Sequence, residues 1–329
     1  MAWFFSESII QALQDFFPGW MEFIFKIITY LGDPIVYIVI FSIAFWVFKK
    51  RDAIISIYVL LTSSFLLFFL KVIIQKPRPN LRLVDEDGFS TPSGHAMNST
   101  TVYGWIMLYF KKIWLYVVTP ILVLLICFSR VVLGVHYLGD VIIGFLIGVA
   151  LLAALYFGIP YLLKWMDNWP DWVKILAGEV YGLIVFLTTF IIGLYANWPT
   201  YDDMNNSADI VSALMLFPLF IWIENKWIKM DNENLAIESL ILRILVGLVF
   251  VVGANFGLEA LFSLIKVPKI ISMKVYTANF FIRFARYSLV FTILALGAPL
   301  LFSRVKIFSR KREVILEDDI EDKGKPATN

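Results

Sequence analysis

The sequence predicts an all-α, polytopic membrane protein of about nine transmembrane helices, and three observations carry that expectation. Hydrophobic residues make up 60% of its 329 residues and charged residues only 16%, against roughly a quarter in soluble chains. Mean hydropathy is +0.79. Apolar runs of bilayer-crossing length recur along most of the chain, separated by short polar strings. Lys and Arg gather in alternate connections between these runs, as in a chain that threads a membrane repeatedly. The net charge of +2 gives no basis for nucleic-acid binding, and none is expected. The one cysteine, Cys127, lies in an apolar run, so no intrachain disulfide is possible.

Residues 1–34 mix Phe16, Phe17 and Trp20 with Glu7, Gln11 and Asp15, which fits an amphipathic segment at the membrane interface. Their start lacks a basic flank before an apolar core, so no cleaved leader is expected. Gly32-Asp33-Pro34 breaks the chain. Spans then read as 35–48, 53–74, 95–111, 113–129, 140–163, 171–196, 208–226, 236–264 and 276–303. The first is short, so it is either tilted together with residues 20–31 or longer than drawn. Trp165, Trp169, Trp172, Trp198, Trp222 and Trp227 stand near span ends, as interfacial belts do. Gly144-x3-Gly148 predicts a close helix contact. From Arg304 the chain alternates basic and acidic residues, and 304–329 reads as a soluble, partly disordered cytoplasmic tail.

Orientation follows from the cations. Lys49-Lys50-Arg51, Lys111-Lys112, Lys164 with Lys174, Lys226 with Lys229, and the Arg304–Arg312 cluster share one side under a nine-span count. That side is expected to be cytoplasmic, with the N-terminus outside and the C-terminus inside. The opposite connections are acidic or neutral, as at Thr200-Tyr201-Asp202-Asp203, apart from Lys266, Lys269, Lys274 and the cations of three polar strings. Those strings are Lys71 to Pro79, Thr91 to His95, and Ser129 to Asp140. All three are expected at the outer face, so segments distant in sequence would meet at one membrane level.

The strings contain the chain's two histidines and the means to grip a phosphate. Arg78 and Arg130 offer planar forks of donors to phosphate oxygens, and Lys71 offers a compact charge. Ser93-Gly94-His95 opens a span, where backbone N–H groups are unpaired and the helix dipole favours an anion. Gly94 permits close backbone approach, the Ser93 hydroxyl adds a donor, and His95 can protonate a leaving oxygen. His136 and Asp140 are four apart, hence on one face if a helix runs through them. A carboxylate bonded to one ring nitrogen leaves the other free to attack, which makes His136 the candidate nucleophile. No metal is expected, because two histidines with few carboxylates make a poor site and the cations would repel a divalent ion.

Lys71-x6-Arg78-Pro79, Pro92-Ser93-Gly94-His95 and Ser129-Arg130-x5-His136-x3-Asp140 resemble the three signature motifs of the type 2 phosphatidic acid phosphatase family, the lipid phosphate phosphatases. The resemblance covers about residues 35–163. It implies a six-helix core and a phosphohistidine mechanism with neither metal nor cofactor. It also implies substrates of the lipid-phosphate or lipid-pyrophosphate class. His136 would be the nucleophile, His95 the acid and base, and Asp140 the partner of His136. Lys71, Arg78, Ser93, Gly94 and Arg130 would bind phosphate. The nine-span layout and the string Pro92-Ser93-Gly94-His95-Ala96-Met97 are also similar to glucose-6-phosphatases, members of the same wider superfamily.

On this reading residues 35–196 hold the phosphatase core and 197–303 add about three further spans. The added part carries Glu238, Arg243, Glu259, Arg283 and Arg286 within or near spans, and Glu179 lies in the core; such groups are costly unless paired. Glu259 could pair with Arg283 or Arg286, and the two arginines could also bind a second phosphate or a polar head group. The expected activity is hydrolysis of a polyprenyl pyrophosphate or a glycerolipid phosphate, reached from the bilayer. Transfer of the phosphate to an acceptor, or action on a sugar phosphate, are the rival activities. Lipid transport without chemistry is disfavoured, since no duplicated halves are visible.

Overall fold

The computed structural model describes residues 2–195, 201–265 and 273–312; the tail expected beyond them lies outside the described residues. Its regular structure is helical, with no sheet among the described residues. Helix α1, Glu7–Phe16, starts where the Ser6 hydroxyl accepts the Ser8 N–H. Helix α2, Met21–Tyr30, leads to the Gly32-Asp33 break, and α3, Pro34–Val47, follows it. The Asp33 carboxylate accepts the Ile35 N–H and Pro34 sits in the first turn, a pairing that fixes a helix start. Helices α2 and α3 meet at 42°, and together they are long and apolar enough to cross a membrane. The short first span is therefore one limb of a bent pair, the combination with residues 20–31 that the sequence allows.

The remaining spans match their expected positions. They are α4, Lys50–Ile74; α5, Gly94–Phe110; α6, Leu115–Val132; α7, Leu138–Met166; α8, Asp171–Tyr195; and α9, Tyr201–Ile223. Helix α10, Ile237–Val252, passes through a π turn at Gly253–Gly257 into α11, Leu258–Phe262. Helix α12, Met273–Thr292, passes through a second π turn at Ile293–Gly297 into α13, Ala298–Arg304. Seven of the helical runs among the described residues are long and apolar enough to span a bilayer, and the bent pair makes eight. Helix α5, at 17 residues, completes the expected set at the lower limit of span length.

Two packing features place the polar strings. Gly144 and Gly148 of α7 let it lie directly on α5: a Cβ at Gly144 would stand 2.6 Å from the Ser93 carbonyl oxygen, and one at Gly148 2.8 Å from that of Met97. The close contact expected of these glycines thus sets α7 against the turn that opens α5. Ile10, Ala96, Val123, Cys127, Val131 and Val141 then form a buried cluster joining α1 to α5, α6 and α7. On the other side of the molecule, Phe45 and Trp46 of α3 pack with Tyr287, Leu294 and Phe302. A third cluster joins Leu61 and Phe68 of α4 to Val185, Leu214 and Phe280. The added helices therefore share two cores with the first half of the chain.

The three intramembrane arginines of the added helices are paired or buried, whereas Glu238 is exposed. Arg286 lies 3.8 Å from Glu259, while Arg283 pairs with Asp209 at 3.3 Å instead. Arg243 is buried and donates to the main-chain oxygens of Trp46, Asp231 and Phe308 and to Asn232 Oδ1. It ties the end of α3 to the segments that flank α10 and α13.

Candidate active site

The three polar strings meet where the end of α4, the loop before α5 and the turn between α6 and α7 converge. Lys71, buried near the end of α4, donates to the Phe89 carbonyl at 2.8 Å. Arg78 is wrapped by the loop that follows it: Nε donates to the carbonyls of Asp87 and Gly88, each at 3.1 Å, and Nη2 to that of Asp87 at 2.9 Å. Its Nη1 reaches across to the Val135 carbonyl at 3.1 Å and to His136 Nε2 at 3.2 Å.

Helix α1 braces this loop. Glu7 accepts the Asn80 N–H at 2.7 Å, and Gln14 Nε2 donates at 3.0 Å to the carbonyls of both Leu81 and Val132. Lys76 Nζ stands 3.3 Å from the centre of the Phe5 ring. Gly134 supplies the crossing point. Its φ is +71°, and a Cβ there would fall 1.8 Å from the Leu81 carbonyl oxygen, so only glycine fits.

His136 is fixed in one tautomer by its neighbours. A guanidinium can only donate, so Nε2 facing Arg78 carries the lone pair and the proton sits on Nδ1. Nδ1 lies 3.3 Å from Ser90 Oγ, and that hydroxyl donates in turn to Asp140 Oδ2. The direct separation of His136 Nδ1 and Asp140 Oδ2 is 3.7 Å, too long for a hydrogen bond. The link between them therefore runs through Ser90. Asp140 is fully buried and accepts also from Thr91 Oγ1 and, at 2.8 Å, from the Tyr137 N–H. Helix α7 begins at Leu138, so His136 stands before the helix rather than on its face. Burial, and then the cations of Arg78 and Arg130, hold the His136 imidazole well below its usual pKa. The ring is neutral at neutral pH.

Arg130, on the last turn of α6, donates through Nη1 to Thr29 Oγ1 at 2.8 Å and through Nη2 to Glu86 Oε2. Glu86 Oε1 also lies 3.5 Å from Arg78 Nη2. Two of the cations assigned to phosphate thus grip a carboxylate. Burial alone would raise the Glu86 pKa, but Arg130 and Arg78 outweigh it and keep the group well below the ordinary carboxylate range.

Ser93 caps α5 with no side-chain bond to the helix, and its buried Oγ has no hydrogen-bond partner. Neither has Arg130 Nε. Both are unmet donors beside the His136 turn, since the Ser93 N–H bonds the Asp140 carbonyl at 3.1 Å. Gly94 faces Leu67, which a Cβ would meet at 2.8 Å. His95 packs against the α2–α3 bend, where a Cβ on Gly32 would lie 2.8 Å from its Cδ2. Among the described residues no three His, Cys, Asp or Glu side chains gather as metal ligands.

The structure therefore brings together all eight residues singled out in the sequence. It adds Ser90 and Thr91 as partners of Asp140, Thr29 as a partner of Arg130, and Glu86 as the anion between the arginines. Thr91 already heads the string Thr91 to His95 and Ser90 adjoins it, so extending that string by one residue finds Ser90 as well. Glu86 carries no local signal, because its importance lies in contacts with residues eight and 44 positions away.

The chain is similar in sequence to known proteins. Residues 52–164 match the PAP2 superfamily, and residues 213–311 match the transmembrane extension of PAP2 superfamily phosphatases. Phosphatidylglycerophosphatase B of Bacillus subtilis is 33% identical over 160 residues, 44% of this chain and 78% of that protein. Sphingosine-1-phosphate phosphatase 1 of Rattus norvegicus is 30% identical over 212 residues, 59% of this chain and 46% of that protein. Among solved structures, the PAP2-type phosphatidylglycerolphosphate phosphatase of Bacillus subtilis aligns at 29% identity with a TM-score of 0.43, over 47% of this chain and 84% of that one. LpxE of Aquifex aeolicus aligns at 21% identity with a TM-score of 0.39, over 45% and 93%. With the family's domain and its membrane extension both present in one helical chain, this integral membrane phosphatase belongs to the PAP2 superfamily.

Proposed function

We propose that the chain hydrolyses a lipid phosphate or lipid pyrophosphate through a phosphohistidine on His136. The observation that carries this reading is the lone pair of His136 Nε2, held in place by Ser90 and Asp140 and faced by Arg78. In the reaction Nε2 attacks phosphorus while Arg78, Arg130, Lys71, the Ser93 hydroxyl and the backbone at Gly94 take the phosphate oxygens. The bond from phosphorus to the lipid oxygen breaks, and His95, which takes up a proton as the phosphate's negative charge enters the site, gives that oxygen the proton. A water then attacks phosphorus, passing its proton to His95. The P–N bond breaks, and inorganic phosphate leaves. Asp140 stabilises positive charge on the imidazole through Ser90. Phosphate displaces Glu86 from the arginines on binding.

We read residues 35–196 as the catalytic core and 197–303 as its extension. The site faces outward and the C-terminus lies in the cytoplasm, a reading supported by the cation-rich connections on the opposite side. The activities named for the relatives, on phosphatidylglycerophosphate and sphingosine 1-phosphate, support a phosphate monoester on a lipid.

The test is phosphate release by purified protein in detergent and EDTA, with His136→Ala alongside. Phosphatidylglycerol phosphate, sphingosine 1-phosphate, phosphatidic acid, undecaprenyl pyrophosphate and glucose 6-phosphate are offered in turn. Release from a lipid, lost in the variant, is the expected result. Release from glucose 6-phosphate alone contradicts the lipid assignment, and a phosphorylated acceptor in place of free phosphate contradicts hydrolysis.

A further inference from the structure

A cavity of about 360 Å³ lies between the core helices α3, α4 and α5 and the added helices α9 and α12. Its size falls in the range of small-molecule sites, roughly 300–1,000 Å³. Its lining changes character along its length. Asp33, Tyr37, Asn98, Asp209 and Arg283 supply polar groups at the end nearer the catalytic residues. Phe45, Phe217, Phe291 and Leu294 line the far end.

Three observations say what fits there. The polar end adjoins the active site: Asp33 follows Gly32, whose Cα packs against the His95 ring. The depth matches one leaflet, because Asp33 and Phe45 are 12 residues apart along α3, about 18 Å, against roughly half of a ~30 Å hydrocarbon core. The polar end also has unmet hydrogen-bonding groups. Tyr37 is 1% exposed with an unpartnered hydroxyl, and the buried Asp209 Oδ1 and Arg283 Nε are unpartnered as well. Protein interiors are close-packed, so a space of this size calls for an occupant.

We propose that this chamber holds one hydrocarbon tail of the substrate lipid, while its polar rim takes hydroxyl or amine groups of the lipid backbone next to the phosphate. The inference rests on the lipid-phosphatase reading and gives the added helices a role in choosing the substrate. Ten of the 23 residues that line the chamber belong to the added helices, seven of them on α9 and α12, so the catalytic core alone does not enclose the tail. Asp209 and Arg283 present both signs of charge at the rim, which suits a backbone that donates and accepts hydrogen bonds better than a bare alkyl chain.

The experiment uses the purified full chain in detergent and two independent readouts. The first is photolabelling with a non-hydrolysable hexadecyl phosphonate bearing a diazirine at the chain end. Label is expected on α9 around Phe217 and on the π turn after α12 around Leu294, competed by a hexadecyl phosphate but not by hexadecanol. Label confined to outward-facing residues such as Leu146 and Phe157 overturns the proposal, and so does equal competition by hexadecanol, which marks a structural lipid.

The second readout is chain-length preference in Ala213→Leu and Ala295→Leu, each checked for a parental thermal melt. Both positions line the chamber, and neither belongs to the catalytic machinery. Their kcat/KM for hexadecyl phosphate is expected to fall about tenfold while that for butyl phosphate stays within about twofold. Parental ratios in both variants overturn the proposal. If wild-type protein releases phosphate from no substrate, the catalytic reading fails by itself, and the photolabelling still decides the chamber.

Discussion

Replacing Glu86 with glutamine is expected to tighten the binding of phosphate-like anions. In the free protein its carboxylate is held by Arg130 and lies near Arg78, whose side chains are only 3% and 5% exposed. A phosphate dianion entering the site must take these donors away from it. A hydrogen bond to a charged partner contributes about 1.5–3 kcal/mol net. Two features reduce that figure here: the Arg78 separation is 3.5 Å, beyond a good hydrogen bond, and the Glu86 side chain keeps 29% of its exposure. Removing the charge while keeping the shape should therefore relieve about 1–2 kcal/mol of competition, or roughly 5–30-fold. The assay is inhibition of p-nitrophenyl phosphate turnover by orthovanadate and by inorganic phosphate. Both inhibition constants should fall by that factor in Glu86→Gln. The carboxylate stays ionised throughout about pH 5–9, so the ratio of constants should be flat there. An unchanged or raised inhibition constant refutes the reasoning and makes Glu86 a support for Arg130 instead of a rival to phosphate.

Three further outcomes follow from the same geometry. Ser90→Ala cuts the link between His136 and Asp140, and kcat should fall roughly 10–100-fold with little change in thermal stability, whereas Thr91→Val, which removes a bond to Asp140 alone, should cost less. Gly134→Ala forces a side chain into the Leu81 carbonyl at positive φ, and a melting curve should show a loss of about 2–3 kcal/mol or more together with loss of turnover. The third concerns pH. The folded pKa of His136 is depressed by burial and by Arg78 and Arg130, so the unfolded chain binds its proton first as pH falls. The stability it contributes is full above the unfolded value near 6.5 and is lost progressively below it. His136→Gln should flatten the stability profile below that pH, while the acid limb of parental kcat/KM should lie below 6.5; a limb centred at 6.5 contradicts the buried, cation-flanked setting.

Much of this molecule was legible in the sequence because its signals are local. Each span is announced by its own apolar run, and the α5–α7 contact by Gly144 and Gly148 within one helix. The set proposed to bind phosphate was legible for a different reason: histidine, arginine and lysine are expensive within a membrane, so their clustering at span ends stands out. What could not be read depends on where distant residues meet. Ser90 looks like one more polar residue before a proline until the fold sets it between His136 and Asp140. Glu86 looks like a solvated acid between Asp85 and Asp87 until the loop turns it onto Arg130. Helix α1 reads as an interfacial helix, and only its contacts to Asn80, Leu81 and Val132 show it bracing the loop that carries Arg78. Arg283 was paired with Glu259 as one option, yet Asp209, on a helix far from it in sequence, is the partner.

The central claim is a covalent phosphoryl group on His136, and rapid quenching with a ³²P-labelled substrate tests it most directly. The account predicts an alkali-stable, acid-labile label on the peptide that contains His136, formed before steady-state phosphate release and absent from His136→Ala. Full turnover with no label on that peptide, or turnover retained in His136→Ala, would contradict it.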